Sequence, residues 1–457
     1  METKYDAIVV GSGITGGWAA KELCQKGLKT LVLERGRDVK HVQDYPTMNM
    51  TPWEFKYRGY KSQQHYHDQA VQTRTYAFNE GTKHFFVNDL ENPYTEVKKF
   101  SWIRGYHVGG RSLMWARQSY RLSDLDFTAN AKDGFGVDWP IRYKDIAPWY
   151  DYVEKFIGVN GSIENIPQLP DGQFLPPMEM NCVEKEVKKG IESNFADRRM
   201  IMGRSANLTR NHNGRNKCNY RNLCYRGCPY GAYFSSNSAT LPAAYETGNL
   251  TLRPHSIVHS IIYDEQKDKA TGVRVIDAQS NEALEFEARV IFLCASTLGS
   301  TTILLNSATP RFSDGLANSS GALGHYLMDH HFQIGAEAEF EGFEDQYYSG
   351  RRPNGIYIPR FRNVKEQHPD FVRGYGYQGG ASRKSWYKGM EEGGFGKEFK
   401  DSLSKPGGWT MRVNAFGECL PYKENKVSLN KDKTDKWGIP TLDIDCEFRD
   451  NEKAMRK

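Results

Sequence analysis

Three cysteines whose thiols could bind a metal lie close together in the middle of the chain. Cys218, Cys224 and Cys228 fall within eleven residues, and Pro229 follows the last of them. Closely spaced thiols in an irregular loop are typical of iron–sulfur clusters, because several ligands must converge on one inorganic core. A second interpretation is zinc, with His212 as a fourth ligand. In a third, some of these cysteines are buried as small apolar groups, and the sequence leaves all three open.

A glycine-rich segment near the N-terminus has the spacing of a dinucleotide-binding turn. Gly11, Gly13 and Gly16 fit the pattern G-x-G-x-x-G, and Glu34 stands at the end of the next apolar run. The first glycine permits a tight turn, the second lets the backbone approach a pyrophosphate, and the third lets a helix pack on a strand. Free N–H groups at the helix start favour phosphate, and Glu34 would accept hydrogen bonds from ribose hydroxyls. This pattern does not separate FAD from NAD.

The elements that must position this turn are predicted on both sides of it. An apolar run at 5–10 predicts a strand, residues 18–26 have helical character, and Gly27 ends the helix. A second strand is predicted at 30–33. The order strand, turn, helix, strand indicates one half-unit of a parallel sheet with a helix on its face.

The rest of the sequence predicts a further sheet, an insertion and a second domain. Residues 250–293 alternate apolar and polar side chains, which indicates a small antiparallel sheet returning to a buried strand at 289–295. Residues 40–98 are polar, aromatic and irregular, as expected of an insertion or lid. Residues 325–457 are β-rich in character and are expected to form most of a second domain.

Length, charge and hydropathy exclude several classes of protein. A chain of 457 residues is too long for one ordinary core. A net charge of +5 spread along the chain argues against nucleic acid as a partner. The mean hydropathy of −0.68 and the lack of a run of about 18 apolar residues argue against a membrane span. No leader precedes the first strand, so we expect a cytoplasmic protein, or a periplasmic one if a partner subunit carries it across the membrane.

Four further segments resemble the glucose–methanol–choline (GMC) family of FAD-dependent oxidoreductases. They occur in the family's order, at 104–115, 290–307, 324–330 and 417–440, so the resemblance extends over nearly the whole chain. The resemblance implies an α/β, Rossmann-like FAD-binding domain and a second domain built on an antiparallel sheet, α+β overall. It assigns 1–40, 98–130 and 215–320 to the FAD-binding domain, 41–97 to an insertion or lid, and 131–214 with 321–457 to the substrate domain.

The resemblance also implies that the dinucleotide is FAD, held without a covalent bond. Some members attach the flavin through a histidine, but Leu113 and Met114 occupy the stretch where it would be expected. His107, just before the glycine pair, is predicted to be a loop residue near the flavin. The residues predicted to bind FAD are Gly11, Gly13, Ile14, Thr15, Gly16, Glu34, Arg35, Arg104, Gly109, Gly110, Ser112, Met114, Trp115, Val258 and Ala295.

The cysteine segment is similar to the iron–sulfur loop of the family branch that contains FAD-dependent glucose, fructose and gluconate dehydrogenases. This implies Cys218, Cys224 and Cys228 as ligands of a [3Fe–4S] or [4Fe–4S] cluster. It also implies a dehydrogenase that oxidises a CH–OH group of a sugar or glycoside and passes electrons to a cytochrome c or a quinone, with a small partner subunit. Two alternatives are an oxygen-using alcohol or sugar oxidase and a shortened, inactive flavoprotein-like chain.

No catalytic residue is assigned within the sequence. In the family a histidine accepts the proton of the substrate hydroxyl while the carbon gives a hydride to the flavin, and it lies beyond the fourth motif. The sequence stops at Lys457 before such a motif, so we expect the histidine beyond it and a substrate domain whose C-terminal part is missing. His330 and His331 match a structural motif and are expected to have a capping or packing role.

Overall fold

A computed structural model describes residues 3–348, 353–384 and 394–457. The chain divides into two compact units. Unit 1 comprises Met1–Trp115, Leu223–Leu327 and Tyr422–Glu447, and unit 2 comprises Ala116–Asn222, Met328–Pro421 and Phe448–Lys457. All the residues predicted to bind FAD therefore belong to unit 1.

The described residues form the following strands and helices, in chain order. The strands are β1 Lys4–Val10, β2 Thr30–Leu33, β3 Thr95–Glu96, β4 Ile201–Met202, β5 Leu250–Arg253, β6 Ser256–Asp264, β7 Lys269–Asp277, β8 Ala283–Leu293, β9 His331–Phe340, β10 Ile356–Ile358, β11 Tyr375–Arg383, β12 Trp409–Gly417, β13 Lys426–Thr434 and β14 Pro440–Asp445. The α-helices are α1 Ile14–Gln25, α2 Gln63–Asp68, α3 Asp124–Phe127, α4 Ala129–Asp133, α5 Tyr143–Ile157, α6 Cys182–Asn194, α7 Leu241–Tyr245, α8 Thr297–Leu305, α9 Gly396–Ser404 and α10 Asp450–Arg456.

Unit 1 is built on a six-stranded sheet in the order β5-β2-β1-β8-β7-β6. The strands β5, β2, β1 and β8 run parallel, whereas β7 pairs antiparallel with both β8 and β6. The predicted strand–helix–strand unit and the predicted antiparallel sheet at 250–293 are thus joined in one sheet through β8. This confirms the α/β class predicted for the FAD-binding domain.

The central strand β1 is buried on both of its faces. Ile8 and Val10 pack in one apolar cluster with Leu31, while Ala7 and Val9 pack in another with α1. Alternate side chains of a strand point to opposite faces, so a continuous apolar run is what a strand covered on both sides requires. The carboxyl end of β1 therefore opens directly into the glycine turn and α1.

Unit 1 also contains a small three-stranded sheet in the order β13-β14-β3. The hairpin of β13 and β14 brings residues 426–445 to the unit, and β14 pairs in parallel with β3 of the 41–97 insertion. The insertion itself consists of α2, β3 and short 3₁₀ turns around a cluster of buried aromatic side chains that includes Phe78 and Phe85. It is irregular in form but has its own apolar core.

Unit 2 is built on a five-stranded antiparallel sheet in the order β4-β10-β11-β12-β9. Helix α6 covers one face, where Val183 packs with Ile356, Ile358, Trp409 and Met411. The second antiparallel-sheet domain predicted from the sequence is confirmed. In the described part of the chain, no helix combines the length and the apolar character that crossing a membrane requires.

Candidate cofactor site

The turn between β1 and α1 is so tight that two of its glycines have no room for a side chain. Gly11 has φ 95°, and a Cβ there would lie 2.5 Å from the carbonyl oxygen of Cys294. A Cβ on Gly16 would lie 1.9 Å from the carbonyl oxygen of Gly11. These are approaches of backbone to backbone, so glycine is required for β1, β8 and α1 to meet at this point.

Gly13, between those two residues, has open space where its side chain would be. A Cβ on Gly13 would meet no atom of the described chain within 4 Å. Gly13 is the N-cap of α1, and no side chain caps this helix end. Unsatisfied N–H groups and the helix dipole favour an anion here, and the free volume lies beside them.

A second glycine turn lies close to the first. Gly109 and Gly110 have φ 87° and 48°, and a Cβ on Gly110 would lie 3.5 Å from Gly13 Cα. A Cβ on Gly109 would lie 1.7 Å from Asn237 Oδ1. The structure thus brings together two predicted motifs that are about 100 residues apart in the sequence.

Ser12 connects Glu34 to this second turn. The Ser12 hydroxyl donates to Glu34 Oε2 over 2.5 Å and accepts from the backbone N–H of Gly109 over 3.0 Å. Glu34 also accepts from the N–H of Ser12 at 3.1 Å and of Gly36 at 3.0 Å. Burial raises the pKa of Glu34, and these three donors lower it again in part. The buried carboxyl group of Glu34 therefore holds the backbone of the glycine turn in place through hydrogen bonds.

Sequence reasoning missed a segment that supports both glycine turns. Ser236 Oγ donates to the carbonyl of Gly13 over 2.9 Å, and its N–H donates to Ser112 Oγ over 3.0 Å. Asn237 donates through Nδ2 to the carbonyls of Val39 and Val108. Both residues begin a buried π-helical turn, Ser236–Thr240. The run of small polar residues at 235–240, just before an apolar helix, was the available signal.

Arg35 is held by a residue 400 positions later in the chain. Its Nη2 lies 3.1 Å from Asp435 Oδ2, and its guanidinium lies over the rings of Tyr106 and Trp437, at 4.9 and 5.1 Å from their centroids. Asp435 and Trp437 are in the turn between β13 and β14. The C-terminal hairpin of unit 1 thus fixes the side chain that follows Glu34.

Arg104 contacts the insertion and the segment just after it rather than the glycine turns. Its Nη2 lies 3.3 Å from Asp89 Oδ1, and its guanidinium lies 4.4 Å from the ring centroid of Trp102. Its backbone N–H donates to Gln72 Oε1 over 2.9 Å. The predicted contact of Arg104 with FAD remains a prediction, and the observed contacts give it a structural role.

The other predicted FAD-binding residues occupy several environments. Ile14 and Thr15 form the first turn of α1, and Thr15 bonds to the thiol of Cys294. Trp115 donates through Nε1 to the carbonyl of Phe234 over 3.0 Å. Val258, Met114 and Ala295 pack in or against apolar clusters of unit 1.

His107 is buried beside the second glycine turn. Its Nδ1 lies 3.0 Å from the carbonyl oxygen of Val108, which can only accept, so Nδ1 carries the proton. Burial lowers the pKa of His107 to about 4. The imidazole is therefore neutral at physiological pH.

We expect this burial to make the protein less stable in acid. The unfolded chain binds a proton at His107 near pH 6.5, whereas the folded chain does so only near pH 4. The unfolded state thus binds more protons across this window, and the free energy of unfolding falls by up to about 3 kcal/mol as the pH drops through it. Denaturant unfolding of the apoprotein should show a shallower pH dependence in His107→Gln than in the wild type. Equal slopes in the two proteins would contradict the assignment.

Ser296, between β8 and α8, has a backbone conformation that almost only glycine adopts. Its φ is 68° and its ψ is 169°. We expect Ser296→Gly to raise the free energy of unfolding by about 1 kcal/mol, because it relieves strain. The same change at Ser300, inside α8, should lower it by about 0.5–1 kcal/mol. Thermal unfolding of the two variants tests this prediction. A lower free energy of unfolding in both variants would mean that the backbone at Ser296 is not strained.

The predicted iron–sulfur site is not assembled in the structure. Among the residues that the structure describes, no group of three or more His, Cys, Asp or Glu side chains could hold a metal. Cys218 packs with the apolar cluster of unit 2, whereas Cys224 and Cys228 line a small pocket of unit 1 with Tyr45. The short spacing was misleading because the chain passes from one unit to the other between the first and second cysteine.

The histidine of the zinc alternative already has a partner, and His330 and His331, at the end of the 324–330 motif, contact residues other than the three cysteines. His212 Nε2 lies 2.7 Å from the carbonyl oxygen of Lys155, which occupies that nitrogen. His331 is buried, with Nε2 at 3.1 Å from Met455 Sδ. His330 is exposed and lies against the ring of Phe416 at 5.5 Å.

Comparison with known proteins places these features in one family. The model of the GMC oxidoreductase family matches residues 5–332. The chain is 28% identical to 2-methyl-1,2-propanediol dehydrogenase of Mycolicibacterium austroafricanum, over 98% of this chain and 78% of that protein. It is 26% identical to the fructose dehydrogenase large subunit of Gluconobacter japonicus, over 96% of this chain and 79% of that protein. Among solved structures, pyridoxine 4-oxidase from Mesorbium loti has the same fold, with a TM-score of 0.56 and 16% identity over 96% of this chain and 75% of that one.

Proposed function

This chain belongs to the GMC oxidoreductase family, and from that premise we propose that it is a dehydrogenase that oxidises a CH–OH group with non-covalently bound FAD. The substrate class is an alcohol or a sugar. The observation that carries the proposal is the open volume at Gly13, bounded by the uncapped start of α1 and by Gly110. The relatives matched over nearly the whole chain are named as dehydrogenases of such compounds, which supports the reaction class.

The residues of unit 1 fit the two halves of FAD that a Rossmann-like domain holds. The N–H groups of Ile14 and Thr15 at the start of α1 suit the pyrophosphate, and Glu34 suits the adenosine ribose. Arg35 follows Glu34 and is fixed against Trp437, so we propose that it lies near the adenine end of bound FAD. Bound FAD supplies the acceptor for a hydride from the substrate carbon.

We propose that the surroundings of the second glycine turn in unit 1 keep the cofactor non-covalent. His107 makes a hydrogen bond to the carbonyl of Val108 and is packed against the ring of Phe85. Leu113 and Met114 are buried in the apolar core beside the second glycine turn. We propose that these groups hold the loop in place and exclude water, and that none of them bonds to the flavin.

We propose that electrons leave through an external acceptor without a resident metal cluster. The described thiols do not fit an iron–sulfur core, so no step of the reaction is assigned to one. A partner subunit is proposed because a relative is named as the large subunit of its enzyme. The proposed acceptor, a cytochrome c or a quinone, is the one that the resemblance to the dehydrogenase branch implies. An oxidase that reduces oxygen is the second candidate of the same family.

The experiment is an anaerobic titration of the purified protein with simple alcohols, diols and sugars. We expect at least one of them to bleach the visible absorption of the flavin. Re-oxidation should be fast with a quinone or ferricyanide and slow with oxygen, with little peroxide formed. Bleaching followed by rapid peroxide formation would identify an oxidase, and no bleaching by any hydroxylated compound would refute the reaction class. Iron analysis of the same sample should find less than stoichiometric iron.

A further inference from the structure

The sheet of unit 2 has one face covered by α6 and a second, open face that Tyr120 covers at one end. Helix α6 and its apolar cluster cover the face that carries Ile356, Ile358, Met411 and Val413. Alternate residues of a strand point to opposite faces, so Tyr357, Gln378 and Asn414 lie on the other one. Arg412 and Glu337 on that face are exposed. The open face therefore has a polar character of its own.

Three of these polar side chains form a single row across the sheet. Tyr357 is paired with Gln378, Gln378 with Asn414, and Asn414 with Gly335. Directly opposed residues of antiparallel strands place their Cβ atoms about 5 Å apart. The row thus presents two neighbouring amides between an aromatic ring at one end and a glycine at the other.

The two amides are available to a ligand. Gln378 and Asn414 are half-buried, and the structure records no hydrogen bond for either side chain among the residues it describes. Asn414 Oδ1 would lie 3.0 Å from a Cβ on Gly335, so the amide lies over a residue that has no side chain. The next row adds an opposed pair of charged residues, Arg412 and Glu337.

The aromatic end of the row is rigid and supplies neutral hydroxyls. The ring of Tyr357 stacks on that of Tyr120 at 4.0 Å and 18°. Tyr120 donates to Gln118 Oε1 over 2.8 Å. Burial raises the pKa of Tyr357 to about 12 and also raises the pKa of Tyr120, so both phenols keep their protons.

We propose that this row binds a polyhydroxylated compound, such as a sugar, through adjacent hydroxyl groups. A hydroxyl donates one hydrogen bond and accepts others, and an amide offers a donor and an acceptor side by side. Two amides in register match two neighbouring hydroxyls, which a simple alcohol does not have. The row would then select sugars over simple alcohols, and this narrowing of the substrate rests on the proposed function.

The test measures binding directly, with the full chain loaded with FAD. Isothermal titration calorimetry compares D-glucose, D-fructose and glycerol with 2-propanol. The variants are Gln378→Leu, Asn414→Leu and the double variant, and the matched control is Gln279→Leu at an exposed position in unit 1. Thermal unfolding and flavin content show whether each variant is folded. If a leucine variant does not fold, Gln378→Glu or Asn414→Asp takes its place.

We expect the wild type to bind at least one sugar more tightly than 2-propanol. Each leucine substitution should weaken sugar binding by about tenfold, as loss of a paired amide in a half-buried site does, and the control should bind as the wild type does. Any of three results would overturn the proposal. The wild type could bind no sugar, or the double variant could bind sugar as tightly as the wild type. The wild type could also form a dimer that the double substitution dissociates, which would make the row a contact between two copies of the chain. If the wild type binds sugar and the double variant does not, but no alcohol, diol or sugar bleaches the flavin, the proposed function would be refuted and this binding surface would stand.

Discussion

Replacing Gly16 by alanine is expected to abolish FAD binding and to lower the free energy of unfolding by about 3 kcal/mol. The added Cβ would lie 1.9 Å from the carbonyl oxygen of Gly11 and 2.8 Å from its carbonyl carbon. Neither atom is at the end of a flexible side chain, so relief requires that α1 move away from the end of β1. Such a shift displaces the N–H groups that face the volume at Gly13.

Gly13→Ala is the control that separates folding from binding. A Cβ on Gly13 meets no atom of the described chain within 4 Å, and its backbone has φ −64° and ψ −162°, which alanine adopts. We expect the apoprotein of this variant to unfold as the wild type does, and its affinity for FAD to fall by at least about tenfold. Fluorescence titration of FAD and denaturant unfolding of the apoprotein measure the two quantities separately.

Two outcomes would contradict this account of the turn. If Gly13→Ala bound FAD as tightly as the wild type, the open volume would not be where the pyrophosphate lies. If Gly16→Ala kept both its stability and its FAD, the close contact of α1 with the turn would be wrong. Gly408→Ala serves as a neutral reference for the loss of a glycine outside the site, since a Cβ there also meets no described atom within 4 Å and its φ lies outside the left-handed region.

The second large effect is expected from Glu34→Gln. Three donors point at this buried carboxyl: the N–H and hydroxyl of Ser12 and the N–H of Gly36. An amide replaces one acceptor oxygen with a donor, so at least one buried N–H or O–H loses its partner. We expect the free energy of unfolding to fall by about 2–3 kcal/mol. FAD affinity should fall too, because Ser12 also accepts from the N–H of Gly109 and couples the two glycine turns.

The matched control is Glu287→Gln, at an exposed position on β8. This change should alter the free energy of unfolding by less than about 0.5 kcal/mol and leave FAD binding unchanged. Urea unfolding of the apoproteins and FAD titration of the folded variants give the comparison. A Glu34→Gln variant as stable as the control would mean that the carboxyl is not the centre of this network.

The parts of the site that follow one another in the chain were predictable from sequence. Gly11, Gly13, Gly16 and Glu34 belong to one strand–turn–helix–strand unit, whose geometry is set by local sterics. The contact between Gly13 and Gly110 needed the family resemblance, because no local pattern says that two distant turns meet.

Other parts of the site depend on tertiary packing that no spacing reveals. The hydrogen bond from Arg35 to Asp435 joins residues 400 positions apart. Asp435 lies in a hairpin, and the sequence of that hairpin does not indicate which part of the chain it contacts. Ser236 and Asn237 are small polar residues that are equally common in loops, and only their burial beneath the glycine turns marks them.

The cysteine segment shows the opposite failure, in which spacing predicted too much. Cys218, Cys224 and Cys228 are close in the sequence, but proximity along the chain does not determine into which core each side chain packs. The first belongs to unit 2 and the other two to unit 1. A ligand set is defined by convergence in space, and among the described residues no three side chains of these types converge on one site.

The measurement that tests the central claim most directly is the flavin content of the purified protein, before and after acid precipitation. The claim is that the turns at Gly11–Gly16 and Gly109–Gly110 hold FAD without a covalent bond. We predict that the wild type binds FAD in about a one-to-one ratio, that acid releases all of it into solution, and that Gly13→Ala retains much less. Protein without flavin after incubation with FAD, or flavin that remains attached to the precipitated chain, would contradict the claim.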